Sequence, residues 1–323
     1  LLFCNKSDVD QQENKGNIMS GTIKRRDFIK SGVATGISAL VGLHSVNELS
    51  ANQDLPFDLV AIKGGEPDEM FDKGIEQLGG ISKFVKKGQK VVVKPNIGWD
   101  VNPERAGNTN PQLVKRIIEH CFKAGAKDVF VFDHTCDDWR MSYKNSGIED
   151  AVKSAGGTIV SGASEKYYRK VTFSKGKKLR EDKVHELILD SDVYINVPVL
   201  KNHGSAKLTI CLKNQMGVNW DRRYWHKNDL HQCIADFATR IKPHLNVVDA
   251  YRIMQTHGPR GVSVEDVTLL KAQIISTDMV AADAAATKFF GLEPKDIPHI
   301  RIAHEMGVGT IEIEKLRIKR IQL

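Results

Sequence analysis

Cysteine is scarce in this sequence, with 5 in 323 residues, and no two of them form a C-x-x-C pair. Zinc ribbons and ferredoxin-type clusters need thiolates at close, repeated spacing, so neither module is encoded and an iron-sulfur cluster is not expected. G-x-S-x-G, H-E-x-x-H, the P-loop and G-x-G-x-x-G are missing as well, which leaves serine-hydrolase, zincin and nucleotide-fold readings without support. Aromatics make up only 7% and are not interleaved with a basic strip, so single-stranded nucleic acid is not an expected partner. The formal net charge of +7 is modestly basic and diffuse, compatible with acidic ligands and too spread out to argue for nucleic acid. Internal repeats and low-complexity tracts are absent. So is any run of about 20 strongly apolar residues of the kind that spans a bilayer.

The nearest approach to such a run is Ser31 to Val46, which is shorter and broken by glycines and His44. It follows Arg25-Arg26-Asp27-Phe28-Ile29-Lys30, which resembles a twin-arginine export motif, and precedes the small-residue cleavage site Leu49-Ser50-Ala51. Met19 is the expected start, with residues 1–18 an upstream extension. The organisation expected is a leader over residues 1–51 and an α/β domain over 52–323. The twin-arginine machinery is then a partner and the periplasm the destination. Cys121, Cys136, Cys211 and Cys233 lie beyond the leader and read as structural thiols, with Cys121 and Cys233 on helices and buried. A disulfide after export stays open, and the sequence does not pair them.

From residue 57 onward, apolar runs of strand length alternate with helical stretches. Strands are expected over 57–63, 90–94, 128–132, 158–161, 193–197, 245–248, 267–276 and 316–321. Helices are expected over 67–78, 110–124, 147–154, 184–189, 230–241, 279–290 and 298–306. Asn110-Pro111 is a helix start, with Asn as cap and Pro in the first turn. Residues 167–180 alternate around Ser174-Lys175-Gly176 and read as an inserted β-hairpin. The rhythm fits one large α/β domain with a mainly parallel sheet flanked by helices; a barrel is the alternative.

Ligands of open α/β sheets sit beyond the carboxyl ends of the strands, so the residues following each strand are the candidates. The densest set is residues 196–217, which contain Lys201, Lys207, Lys213, His203, Asn202, Asn214 and Gln215 and no acid. With Lys94 and Asn96 after the second strand, they form a candidate anion site. Lysines act toward phosphate or carboxylate as point charges, and Gly204 and Gly217 would admit backbone N–H groups. A solvated basic loop is the plain alternative. The second set is acidic: Asp133, Asp249, Asp278 and Asp283. Carboxylates suit hard divalent ions, and Asp249 with Asp133 is the candidate metal pair, Asp249 doubling as general base. Caps are the alternative for the others, Asp278 above all. His203 is a second acid–base candidate. Trp220-Asp221-Arg222-Arg223-Tyr224-Trp225-His226 is expected in a loop that either stacks on a planar ligand or packs on its own domain.

Val91-Val92-Val93-Lys94-Pro95-Asn96 with Asn108-Thr109-Asn110-Pro111 resembles the opening of the family called domain of unknown function 362. Val197 to His203, Leu212 to Gly217, Gly258-Pro259-Arg260-Gly261 and Asp278 to Asp283 are similar too, in the family's order across roughly residues 58–305. The resemblance implies no reaction, since the family's is not established. Some members are described as iron-sulfur proteins and carry a cysteine-rich ferredoxin-like segment, from which this sequence departs.

The sequence thus points first to an exported α/β enzyme acting on an anionic small molecule or glycan-linked group, with a divalent metal as an option. A non-catalytic binding or accessory protein is the rival, in which the acids are caps. A redox protein anchored on Cys136 or Cys211 is third.

Overall fold

Val91, Val92 and Val93 have no exposed surface, and strand geometry turns neighbours to opposite faces. Val92 packs into one apolar cluster and Val91 and Val93 into another, so this strand has a core on each side. The computed structural model, which describes residues 55–323, builds both cores around one sheet. The expected leader, including Arg25-Arg26 and the site at Leu49-Ser50-Ala51, lies outside the described residues.

The elements follow in order. The first are β1 (Leu59–Lys63), α1 (Pro67–Gln77), β2 (Lys90–Pro95), α2 (Pro111–Lys123), β3 (Asp128–Val131), α3 (Trp139–Asn145), α4 (Ile148–Ser154) and β4 (Thr158–Ile159). The middle holds β5 (Tyr168–Thr172), β6 (Glu181–His185), α5 (Glu186–Asp190), β7 (Val193–Val197), β8 (Val199–His203), β9 (Lys207–Thr209), α6 (Cys211–Asn214), α7 (Arg222–Lys227) and α8 (Leu230–Ala238). The chain closes with β10 (Leu245–Met254), β11 (Val267–Ser276), α9 (Met279–Thr287), α10 (Pro298–Glu305) and β12 (Ile318–Gln322).

The main path of the sheet runs β12-β1-β11-β10-β7-β2-β3-β4. Every neighbouring pair on it is parallel except the two that β11 makes, with β1 and β10. It is therefore the mainly parallel, helix-flanked sheet expected, not a barrel. Helices α1, α2 and α4 cover the Val91/Val93 face, and α6 to α10 cover the Val92 face. Burying each of these Val, Leu, Ile or Phe side chains contributes about 1.5–3 kcal/mol. No helix among the described residues is long and apolar enough to cross a membrane.

Helix α2 starts as expected. The Asn110 side chain accepts from the Gln112 N–H at 2.9 Å, and Pro111 occupies a position whose N–H would have no partner. Asn110→Ala removes that acceptor and is expected to lower stability by about 1 kcal/mol in urea unfolding.

The inserted hairpin, β10 and the polar stretch 196–217 differ from expectation. The inserted hairpin pairs Tyr168 with His185 through Thr172 with Glu181, and its connection is longer than the 174–176 turn. Phe173 and Leu179 are buried there, and the Asp236 carboxylate accepts the Lys178 and Leu179 N–H groups. Strand β10 continues past Val248 to Met254, so Asp249 lies within a strand instead of after one. The polar stretch 196–217 is not a loop: it folds as β8, β9 and α6, with β8 pairing along the extension of β10.

Candidate functional site

The site begins in the sheet itself. Register places Lys94 beside Asn196, Asn196 beside Asn246, and Asn246 beside Ser276, one polar row across β2, β7, β10 and β11. All four are fully buried. Buried polar groups need partners, and α6 supplies them. The Asn214 Nδ2 donates to Asn196 Oδ1 at 2.9 Å, and Asn196 Nδ2 donates to Asn246 Oδ1 at 3.0 Å. The first N–H groups of α6, on Cys211 and Leu212, donate to Asp283 at 2.7 and 3.0 Å. Asp283 therefore caps a helix other than its own, and burial pushes its carboxyl up to about 7.

Lys94 meets three oxygens, two by hydrogen bond and one as an ion pair. Its ammonium reaches Asn214 O at 2.7 Å, Asn214 Oδ1 at 2.8 Å and Asp133 Oδ1 at 2.9 Å. The other Asp133 oxygen accepts the Ile97 N–H at 2.7 Å. Burial pushes the lysine below and the carboxyl above their usual ranges, each partly offset by the other's charge. A cation placed on Asp133 would have to displace this ammonium. Asn96 donates to Asn214 Oδ1 at 3.0 Å and accepts from Lys201 at 3.1 Å, and Lys201 also donates to the Gly107 carbonyl. Lys94, Asn96, Lys201, Asn214 and Asp133 are thus joined in one bonded network.

Gly217 owes its place to this network. A Cβ there would stand 1.7 Å from Asp133 Oδ1 and 2.4 Å from Lys94 Nζ. Its role is to let the chain close over the ion pair, and the N–H cradle expected of it is not what the packing requires; Gly204 meets open space. Gly217→Ala is expected to lower stability by about 1–3 kcal/mol in urea, because the methyl must push the pair apart.

Lys213 is different. It is 9% exposed, yet no hydrogen bond or ion pair reaches its ammonium from the described residues. Burial, with Arg222 and Lys94 nearby, lowers it to about 8, against a smaller opposing effect of Cys136 and Asp133. Lys201 is lowered to about 7, again chiefly by burial. Arg222 donates to the carbonyls of His134 and Thr135 at 2.9 and 2.6 Å and to Cys136 Sγ at 3.2 Å. His203 Nδ1 accepts the N–H groups of Ser205 and Ala206, both at 3.2 Å. That fixes the ring proton on Nε2, and burial with Lys213 and Lys201 beside it holds the imidazole neutral. His203 thereby presents an N–H donor at Nε2.

The other candidates lie apart from this group. Lys207 is exposed and donates to the Asp296 carbonyl at 2.8 Å. Asn202 accepts the Gly258 N–H at 3.2 Å. Asp249 accepts the N–H groups of Asn110 at 2.7 Å and Tyr251 at 3.0 Å, tying β10 to the start of α2, and burial raises it to about 6. Its oxygens and those of Asp133 serve different partners, and no group of three or more His, Cys, Asp or Glu that could hold a metal occurs among the described residues. Asp278 caps α9 as expected, accepting from Val280 and Ala281. Of the two cysteines considered for redox, Cys211 is buried against Asp283, which with burial raises its thiol well above the usual range.

The family described as Domain of unknown function (DUF362) matches residues 91–288. That stretch is more than half of the chain and contains the whole network from Lys94 to Asp283. The chain belongs to this family. Similar to it is a thylakoid-associated protein of Synechocystis sp., 26% identical over 248 residues that cover 74% of this chain and 75% of the relative. Among solved structures, the lactate racemase apoprotein from Thermoanaerobacterium thermosaccharolyticum is 12% identical at a TM-score of 0.48, over 72% of this chain and 57% of that one. A protein from Thermotoga maritima is 14% identical at 0.47, over 70% and 60%. The DUF362 chain spans less than two thirds of either solved protein, and at these scores neither likeness bears on its chemistry.

Within this DUF362 chain, sequence reasoning missed Asn196 and Asn246 as the seat of α6, and Arg222 and Cys136 beside Lys213. The segment 220–226 was open between stacking and packing. It is in large part helix α7: Trp225 is buried with its indole N–H on Asp182 at 2.7 Å, and Trp220 lies flat on His134 at 5.0 Å. The one available signal for Arg222 was its position just after a capping Asp221.

Proposed function

We propose that this chain binds a small anionic ligand at Lys213, with Lys201, Arg222 and the His203 N–H around it. One observation carries the reading: a lysine nine-tenths buried, on a firmly held short helix, whose ammonium has no partner among the described residues. A charge taken from water without compensation is costly, and an anion arriving from solution supplies the compensation. Exposed His226, whose ring is pushed down by burial and by Lys213, marks the side open to solvent. Export through the twin-arginine route, placing the chain in the periplasm, belongs to the same reading and rests on Arg25-Arg26 and the run after them. Cell fractionation with and without Arg25→Lys/Arg26→Lys checks it.

Calorimetric titration of the chain with phosphate, pyruvate and lactate tests the site. At least one of these anions is expected to bind, and Lys213→Met to weaken it by about 1.5–3 kcal/mol, roughly 10- to 100-fold, as for loss of a charged hydrogen bond. Equal affinity of the variant for every anion that binds would remove the reading.

A further inference from the structure

We propose that Lys213 Nζ is a nucleophile that forms an imine with an anionic carbonyl compound of the 2-oxo acid class. The inference rests on the anion site just described and assigns that site a covalent step.

Interior lysines in this protein fall into two kinds. Lys94 has two hydrogen bonds and an ion pair to Asp133, and Lys201 has two hydrogen bonds, to Asn96 and Gly107. Their nitrogens are held as donors. Among the described residues none reaches the Lys213 ammonium, so its nitrogen can present a lone pair once deprotonated. Its base is rigid, because the residues on either side are fixed: Leu212 by its N–H on Asp283, and Asn214 by Lys94, Asn96 and Asn196. A positioned, desolvated lysine is the form in which this side chain acts as a carbonyl nucleophile. Burial and the neighbouring cations lower the amine to about 8, so a share of it is neutral near physiological pH, far more than for a free lysine.

The substrate class follows from where the charge sits. Lys201, Arg222 and His203 all lie within electrostatic reach of the same amine. A ligand suited to both the amine and these cations carries its anionic group beside its carbonyl carbon. A 2-oxo acid does so, with carboxylate and carbonyl on adjacent carbons. A sugar phosphate separates them by several bonds. In the step itself, the Nζ lone pair attacks the carbonyl carbon and a C–N bond forms. Both hydrogens of the neutral amine then leave with the carbonyl oxygen as water. Nothing is oxidised or reduced. The N–H of His203 is placed to hold the oxygen or the carboxylate while this happens.

The test is reductive trapping on the full chain. Pyruvate with sodium cyanoborohydride is expected to add one group per chain, at the mass of the acid less water plus two hydrogens, mapped by peptide sequencing to Lys213. Lys213→Met should lose the adduct. Lys207→Met, which removes an exposed lysine outside the site, should keep it. Far-ultraviolet circular dichroism shows whether each variant is folded, and Lys213→Arg, which keeps the charge without a nucleophilic amine, should bind pyruvate and form no adduct. Labelling spread evenly over surface lysines, or no adduct with pyruvate, 2-oxobutyrate or 2-oxoglutarate, overturns the inference. If those acids or phosphate still bind by calorimetry, the covalent step alone falls. If nothing binds, the anion site falls with it.

Discussion

Asp133→Ala is expected to lower unfolding free energy by about 3–5 kcal/mol, the usual cost of leaving one member of a buried ion pair alone. Lys94 is completely buried, and among the described residues the Asp133 carboxylate is the one acid ion-paired with it. Its other two hydrogens end on neutral oxygens of Asn214, which satisfy geometry without cancelling charge. The substitution also frees the Ile97 N–H, which Asp133 accepts at 2.7 Å. Since domains of ordinary size are stable by about 5–15 kcal/mol, this variant should sit close to unfolding at room temperature. Lys94→Met combined with Asp133→Ala should lose much less than the sum of the single changes, because the stranded charge is gone. Urea unfolding of the four proteins in that cycle gives the number. A single-variant loss under about 1 kcal/mol, with no coupling, would mean that the pair is not buried as described.

Lys213→Met is expected to do the opposite, raising stability by about 2–3 kcal/mol at pH 7 while removing anion binding. Lys213 falls from 10.5 to about 8 on folding, chiefly through burial and then through Arg222 and Lys94, against Cys136 and Asp133. Between those two values the unfolded chain holds more protons than the folded one. Stability contributed by this residue therefore rises with pH across the window, and the full penalty for its charge is present below about 8. The advantage of Lys213→Met should accordingly be greatest near neutrality, shrink from pH 8 upward and vanish near 10.5. A series of urea midpoints against pH measures this directly. Most core changes destabilise, so the sign alone separates a ligand-holding lysine from a structural one.

How much of this was legible depended on whether a residue's partners are near it in sequence. Asn110-Pro111 marked the start of α2 because a cap acts on an N–H two residues away. The run Val91 to Val93 marked a doubly covered strand because burial on both faces leaves no polar position. The α3 helix was not legible: Asp138 caps it, accepting from Arg140 and Met141, but its seven residues bury only Ser142 and Tyr143 and show no apolar period. The site was half legible. Composition located residues 196–217 and their charge. It could not tell Lys201, which ends on Asn96 and Gly107 about a hundred residues away, from Lys207, which points to the surface. The same blindness read β8 and β9 as loop, since their polar side chains look solvated until distant partners are known. Asp249 ended a strand in the sequence because carboxylates are poor strand formers. In the fold its charge is met by the backbone of Asn110 and Tyr251, and the strand continues.

The most direct test of the account is the titration of Lys213 itself, followed by nuclear magnetic resonance of a labelled side chain and assigned by its loss in Lys213→Met. The account predicts a midpoint near 8 in the free protein, moving upward when phosphate or pyruvate is added, because a bound anion favours the charged amine. A midpoint near the ordinary 10.5 that no anion shifts would show a solvated lysine, and would contradict the site on which the proposed function stands.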